Sequence, residues 1–212
     1  WHGNITGQSH GRGTTYFVSH QEHRLVLRHY RRGGLVGKLI HDQYIYHGLE
    51  TTRPFREFRL LLWMREQGLP VPRPVAAHVQ RDGLIYRGDL LQEQIAGAQD
   101  LHQILCHQGL PKEQWFAVGQ TIAALHHKQV YHHDLNIHNL MQDNQRKIWL
   151  IDFDRCEQRS GQQWKEANLD RLHRSLSKEY QQHSQYQYHP DNFNQLLRGY
   201  HAPFIQDEHE ST

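Results

Sequence analysis

The chain is poor in cysteine and in net charge, and it has no long apolar run. Its two cysteines, Cys106 and Cys156, lie far apart in unlike contexts among 212 residues. That excludes a disulfide scaffold and fits free thiols in a reducing compartment. No stretch approaches the ~20 apolar residues needed to span a bilayer, and no signal-peptide pattern is read, so a cytoplasmic protein is expected. The chain opens on Trp1 rather than Met, and further N-terminal residues are expected. The formal charge is only +2 with neutral histidines, so nothing in it calls for nucleic acid.

Histidine, by contrast, is abundant. The 20 histidines are scattered and often sit beside Gln, which reads as composition bias rather than a metal site. Their partial protonation would make the surface more cationic below neutral pH. His132, His133 and His138 crowd one stretch, yet no Cys or His partner stands at zinc-finger spacing. Apolar residues make up 37% of the chain and cluster, so one domain or two small lobes with a sizeable core is expected.

The stretch from Tyr131 to Asp154 organises the rest. It presents Asp134, then Asn139, then a polar turn, then the apolar run Ile148 to Ile151 ending on Asp152. Phosphoryl transfer of the protein-kinase type needs these groups in this order. An Asp accepts the proton of the attacking hydroxyl, an Asn holds a metal, and an Asp at a strand end holds the metal bridging the phosphates. A solvated turn with capping Asp and Asn residues is the plain alternative.

Upstream, Trp1 to Gly13 reads as a glycine-rich loop, with Gly11 and Gly13 just before the β-rich run Thr14 to Val18. Such a loop can fold over phosphates through its backbone N–H groups, although it is neither a good Gly-x-Gly-x-x-Gly nor a P-loop. Arg24 to Tyr30 completes a hairpin and brings Arg28 to where a kinase carries its phosphate-binding Lys; Lys38 is a rival cation. Thr52 to Gly68 predicts a helix with Thr52 as cap. Phe55, Phe58 and Leu62 form one stripe there and Glu57, Leu61 and Met64 a neighbouring one, so Glu57 is semi-buried and needs a cation. Because a kinase carries such a Glu on the helix after that strand, it is paired with Arg28, with a surface Glu bonded to Arg53 or Arg56 as the alternative. Three prolines make Leu69 to Val75 an extended connector. Val75 to Val79 with Leu84 to Tyr86 predicts a hairpin, and Asp89 to Ile95 a further strand leading to a hinge-like stretch. Helices are expected over Asp100 to Gln108, Pro111 to Gln129, Lys165 to Gln182 and Asn192 to Tyr200. Trp115, Val118, Ile122 and Leu125 form the inner face of the second, and Leu169, Leu172 and Leu176 that of the third. Arg171, Arg174 and Lys178 lie on another side of the third. Strands precede helices, and the expected division is 1–97, a nucleotide-binding lobe, and 98–212, a catalytic and acceptor-binding lobe.

Several segments together resemble the lipopolysaccharide kinase family of the protein-kinase-like fold. They are Gly11 to Thr15, Val26 to Gly34, Glu57 to Leu61, Gly68 to Pro72, His133 to Asn139, Ile151 to Cys156 and Asn168 to Leu176. The resemblance covers nearly the whole chain. It implies an α+β, two-lobed fold with an N-terminal antiparallel sheet carrying one helix and a mainly helical C-terminal lobe. It implies ATP-dependent phosphorylation of the 4-hydroxyl of a 3-deoxy-D-manno-octulosonic acid (Kdo) residue attached to lipid A, with Mg²⁺, by a protein resting on the cytoplasmic face of a bacterial inner membrane. On this reading Asp134 is the base, Asn139 and Asp152 hold the metal, and Arg28, Glu57, Gly11, Gly13 and Lys38 serve the nucleotide. Arg155, Arg171 and Arg174 are candidates for the anionic acceptor. No protein partner is expected. Asn136, where protein kinases have Lys, and the short span after Asp152 argue against a protein substrate. The competing readings are a zinc-binding protein, the most distant, a heptose kinase, an aminoglycoside-type phosphotransferase, a small atypical protein kinase and a non-catalytic pseudokinase. Arg28 and the imperfect glycine loop favour the last, and retention of Asp134, Asn139 and Asp152 opposes it.

Overall fold

The computed structural model describes residues 4–10, 14–31 and 42–203. These form an α+β chain with antiparallel strand pairing and, among the described residues, five α-helices. It divides into two compact units: 1–97 with 150–157, and 98–149 with 158–212.

The first unit is built on a six-stranded sheet. Strands β1 (Asn4–His10), β2 (Thr14–His20) and β3 (His23–His29) form a meander. Within the glycine-rich start, expected to be loop, Asn4–His10 is therefore strand. Its composition hides this because glycine contributes little β-propensity, and the pairing is supplied by β2, with a bulge between Ile5 and Gly7. After β4 (Tyr44–Ile45) comes helix α1 (Arg53–Glu66). Thr52 occupies the cap position but does not cap through its side chain; the hydroxyl donates to the Leu49 carbonyl at 2.6 Å. The buried face of α1 is Pro54, Glu57, Leu61 and Met64; the last three are one of the two stripes expected from the spacing, and the other, Phe55, Phe58 and Leu62, is half-buried.

Strands β5 (Pro74–Asp82) and β6 (Ile85–Glu93) make a hairpin, and β6 also pairs with β3 and β4. The two short strands expected over Leu84 to Tyr86 and Asp89 to Ile95 are one. Gly88, which interrupts the apolar pattern, is the reason for both. A Cβ on Gly88 would run into the Pro54 ring, so the missing side chain lets the first turn of α1 lie against a continuous strand.

In the second unit, β7 (Gln99–Asp100) leads into α2 (Leu101–His107), which Asp100 caps by accepting the Gln103 N–H at 2.9 Å. Helix α3 (Lys112–His127) buries Trp115, Val118, Ile122 and Leu125, the face expected from the period. Then follow β8 (Val130–Tyr131), a 3-10 turn at Ile137–Asn139, β9 (Leu140–Gln142) and β10 (Ile148–Leu150). After β11 (Glu157–Gln158), α4 (Gln163–Gln182) buries Leu169, Leu172 and Leu176, and α5 (Pro190–Tyr200) closes the described chain. Helices α3 and α5 cross closely: a Cβ on Gly119 would overlap the Leu196 carbonyl, and one on Gly199 the Phe116 carbonyl.

Candidate functional site

The first unit gathers three of the residues singled out by sequence around one guanidinium. Arg28, on β3, donates through Nη2 to Glu57 on α1 and through Nη1 to Asp152. Tyr30 completes the group: its hydroxyl donates to Glu57 Oε2 at 2.5 Å and lies 3.3 Å from Arg28 Nη2. Glu57 is 3% exposed. Burial pushes its carboxyl above the usual range, although Arg28 pulls the other way. Burial and the Glu57 charge push the Tyr30 hydroxyl well above its usual value, so it keeps the proton it donates.

Asp152 stands directly after the apolar run that ends β10, in left-handed backbone at φ +63. Asp tolerates that region better than most residues, and non-glycine residues held there concentrate at functional sites. The turn is held on both sides. Phe153 is buried, the Cys156 N–H bonds the Phe153 carbonyl at 3.0 Å, and Arg53 grips the next carboxylate. Arg53 Nε donates to Asp154 Oδ1 at 2.8 Å, its Nη2 to Asp154 Oδ2, and its Nη1 to the Tyr44 hydroxyl at 2.7 Å. A forked guanidinium on both oxygens of one carboxylate fixes the turn in register with α1.

In the second unit, the loop between β8 and β9 carries Asp134 and Asn139. The side-chain amides of Asn136 and Asn139 both donate to the Asp134 carbonyl, each at 2.9 Å. Helix α4 holds the same loop with side chains one turn apart. Asn168 Nδ2 donates to the His132 carbonyl at 2.7 Å, Arg171 Nη1 to Asp134 Oδ1 at 2.8 Å, and Ser175 Oγ accepts the Ile137 N–H at 3.3 Å. Asn168 is itself set by His126. Burial pulls the His126 ring down to about 4, so it is neutral at pH 7. Its Nε2–H then donates to Asn168 Oδ1 at 3.1 Å, and its Nδ1 accepts the Tyr200 hydroxyl at 2.8 Å.

Asp134, Asn139 and Arg171 thus meet in one unit, and Arg28, Glu57 and Asp152 in the other. Arg155 and Arg174 are exposed, and Arg155, like Asp152, has left-handed backbone at φ +60. Helical spacing groups Arg171 with Arg174 and Lys178, but Arg171 points to Asp134 and they do not share that contact. Gly11, Gly13 and Lys38 lie outside the described residues. Sequence reasoning missed Tyr30, Arg53 with Asp154, and the His126–Asn168 relay. A tyrosine two residues after Arg28 was the available signal for the first. The others depend on partners distant in the chain.

Each unit by itself offers an oxygen donor of the kind hard divalent cations take: the first a part-exposed Asp152 carboxylate, the second the Asn139 amide oxygen, whose orientation is fixed because Nδ2 is committed to the Asp134 carbonyl.

A family model described as the lipopolysaccharide kinase (Kdo/WaaP) family matches residues 2–200. The chain is similar to a 3-deoxy-D-manno-octulosonic acid kinase of Vibrio vulnificus, at 48% identity over 198 residues, 93% of this chain and 84% of that protein. It is 46% identical over 201 residues to the enzyme of that name from Photobacterium profundum, covering 95% and 85%. With a Haemophilus influenzae protein of the same name it shares 46% over 205 residues, covering 93% and 85%.

Proposed function

Since the chain belongs to the lipopolysaccharide kinase (Kdo/WaaP) family, we propose that it is an ATP-dependent kinase that phosphorylates a Kdo hydroxyl in lipopolysaccharide core biosynthesis. The finer reading is the 4-hydroxyl of a Kdo residue attached to lipid A, within a protein-kinase-like pair of lobes that divide near Gly97. The observation that carries it is the Asp134–Arg171 pair. A carboxylate fit to take a hydroxyl proton sits against a guanidinium fit to hold a sugar carboxylate.

Asp134 takes the proton of the acceptor hydroxyl as its oxygen bonds to the γ-phosphorus of ATP and the bond to the β-phosphate oxygen breaks. Asn136 and Asn139 fix the Asp134 backbone so that the carboxylate keeps its direction. Arg171, with exposed Arg155 and Arg174, binds the acceptor's carboxylate and phosphates. Arg28, oriented by Glu57 and Tyr30, binds the α- and β-phosphates, its fork suited to oxyanions. Asp152 and Asn139 would hold Mg²⁺, which supplies neutralisation of charge developing on the phosphates.

A lipid acceptor places the work at a membrane surface. No helix among the described residues is long and apolar enough to cross a bilayer, and the same proposal has the protein bind peripherally at the cytoplasmic face of the inner membrane. Transfer from labelled ATP to Kdo-lipid A tests the reading. Wild type should transfer, and Asp134→Ala should lose roughly 10²–10⁴-fold in kcat while still binding ATP. ATP binding without transfer to this acceptor would point to another acceptor, and absence of ATP binding to a non-catalytic protein.

A further inference from the structure

Away from the proposed catalytic residues, the second unit brings together histidines that lie far apart in sequence. Glu179, near the end of α4, is 6% exposed and faces three imidazoles. Its Oε2 lies 3.2 Å from His183 Nε2 and 3.8 Å from His102 Nδ1, and its Oε1 lies 3.4 Å from His138 Nε2. The His102 and His138 rings are tilted by 40°, with centres 4.3 Å apart. His102 Nδ1 is buried and has no hydrogen-bond partner. A buried ring nitrogen that faces a carboxylate without reaching it leaves an unmet polar atom, which is uncommon and calls for a ligand.

We propose that His102, Glu179 and His183 form a zinc-class divalent-cation site that ties α2 to the C-terminal end of α4. Their ligand atoms all lie within 4.8 Å of one another. Tetrahedral zinc with bonds of about 2.1 Å sets its ligands about 3.4 Å apart. The two distances to Glu179 Oε2 bracket that spacing, and His183, about half exposed, has room to swing inward and close the third. Two imidazoles and a carboxylate favour zinc over magnesium or calcium, which prefer all-oxygen sets. Burial and the nearby His138 hold the His102 ring below its usual value, so at neutral pH its lone pair is available. His138, on the other oxygen of Glu179, orients the carboxylate as hydrogen-bond donors do around metal ligands. His138 also belongs to the 3-10 turn that ends on Asn139, so a cation here would brace that turn from behind.

The test uses tag-free full chain stripped by chelator. Zn²⁺ is titrated against a chromophoric competitor, thermal unfolding is followed with and without Zn²⁺, and the visible spectrum is recorded with Co²⁺. The expected result is one saturable site per chain, a Zn²⁺-dependent rise in Tm and tetrahedral Co²⁺ bands. His102→Asn and His183→Asn should each weaken binding at least about tenfold and abolish the Tm rise. His183 is at the surface, so its variant should fold. Affinity unchanged in His183→Asn would mean that the cation sits elsewhere on this histidine-rich chain and would overturn the proposal. Absence of any saturable site in wild type would overturn it as well.

Discussion

Arg28 reaches Glu57 and Asp152 through different nitrogens of one guanidinium, with the Tyr30 hydroxyl closing the group. A lysine has one ammonium on a flexible stem and cannot span both carboxylates with fixed geometry. Arg28→Lys is therefore expected to raise the KM for ATP more than it lowers kcat, read by steady-state kinetics with ATP varied. Glu57 is the partner that burial makes costly. In Glu57→Gln the guanidinium loses its buried counter-charge and the Tyr30 hydroxyl its anionic acceptor. A loss on the order of 3 kcal/mol in urea unfolding is expected.

At the scale of elements, α4 acts as a ruler for the loop bearing Asp134. Asn168, Arg171 and Ser175 contact His132, Asp134 and Ile137 in the same order along helix and loop. Asn168→Ala would remove the acceptor of the His126 Nε2–H and the amide that donates to the His132 carbonyl. The expected cost is about 1–3 kcal/mol in stability, with a fall in kcat that exceeds any change in the KM for ATP. The crossing of α3 and α5 depends on Gly119 meeting backbone directly. Backbone cannot rotate aside as a side chain can, so Gly119→Ala is expected to destabilise by about 1–3 kcal/mol or more, measured by thermal or urea unfolding.

For the whole molecule, one buried base ties stability to pH. His126 is held at about 4 against 6.5 for the ordinary imidazole. Between these values the unfolded chain binds a proton that the folded chain does not, so stability is full above 6.5 and falls as pH drops towards 4. The gap corresponds to about 3 kcal/mol. Urea unfolding across that range should show the decline, and His126→Gln, which removes the titrating group, should reduce its slope. The division of the chain is a whole-molecule property too: 150–157 belongs with the first unit although 98–149 and 158–212 do not. A contiguous reading of strands followed by helices gives no warning of that return.

Read alone, the sequence determined the elements whose signal is local. The period of Trp115, Val118, Ile122 and Leu125, the stripe of Glu57, Leu61 and Met64, and the order Asp134, Asn139, Asp152 sit within single helices or one short span, where spacing and side-chain direction are coupled by backbone geometry. Charge need also carried across: a carboxylate on an apolar stripe requires a cation, and Arg28 supplies it. Tertiary structure alone decided the rest. Strand β1 exists through its pairing with β2, β6 runs unbroken because Gly88 admits Pro54, and Arg171 is drawn out of a row of surface cations by Asp134. The crowded histidines of the sequence, His132, His133 and His138, contribute only His138 to the cluster around Glu179, while His102 arrives from α2 and His183 from the C-terminal cap of α4. Local pattern fixes which face of an element is buried. Which distant side chain meets that face is set by the packing of elements, and no spacing within a segment encodes it.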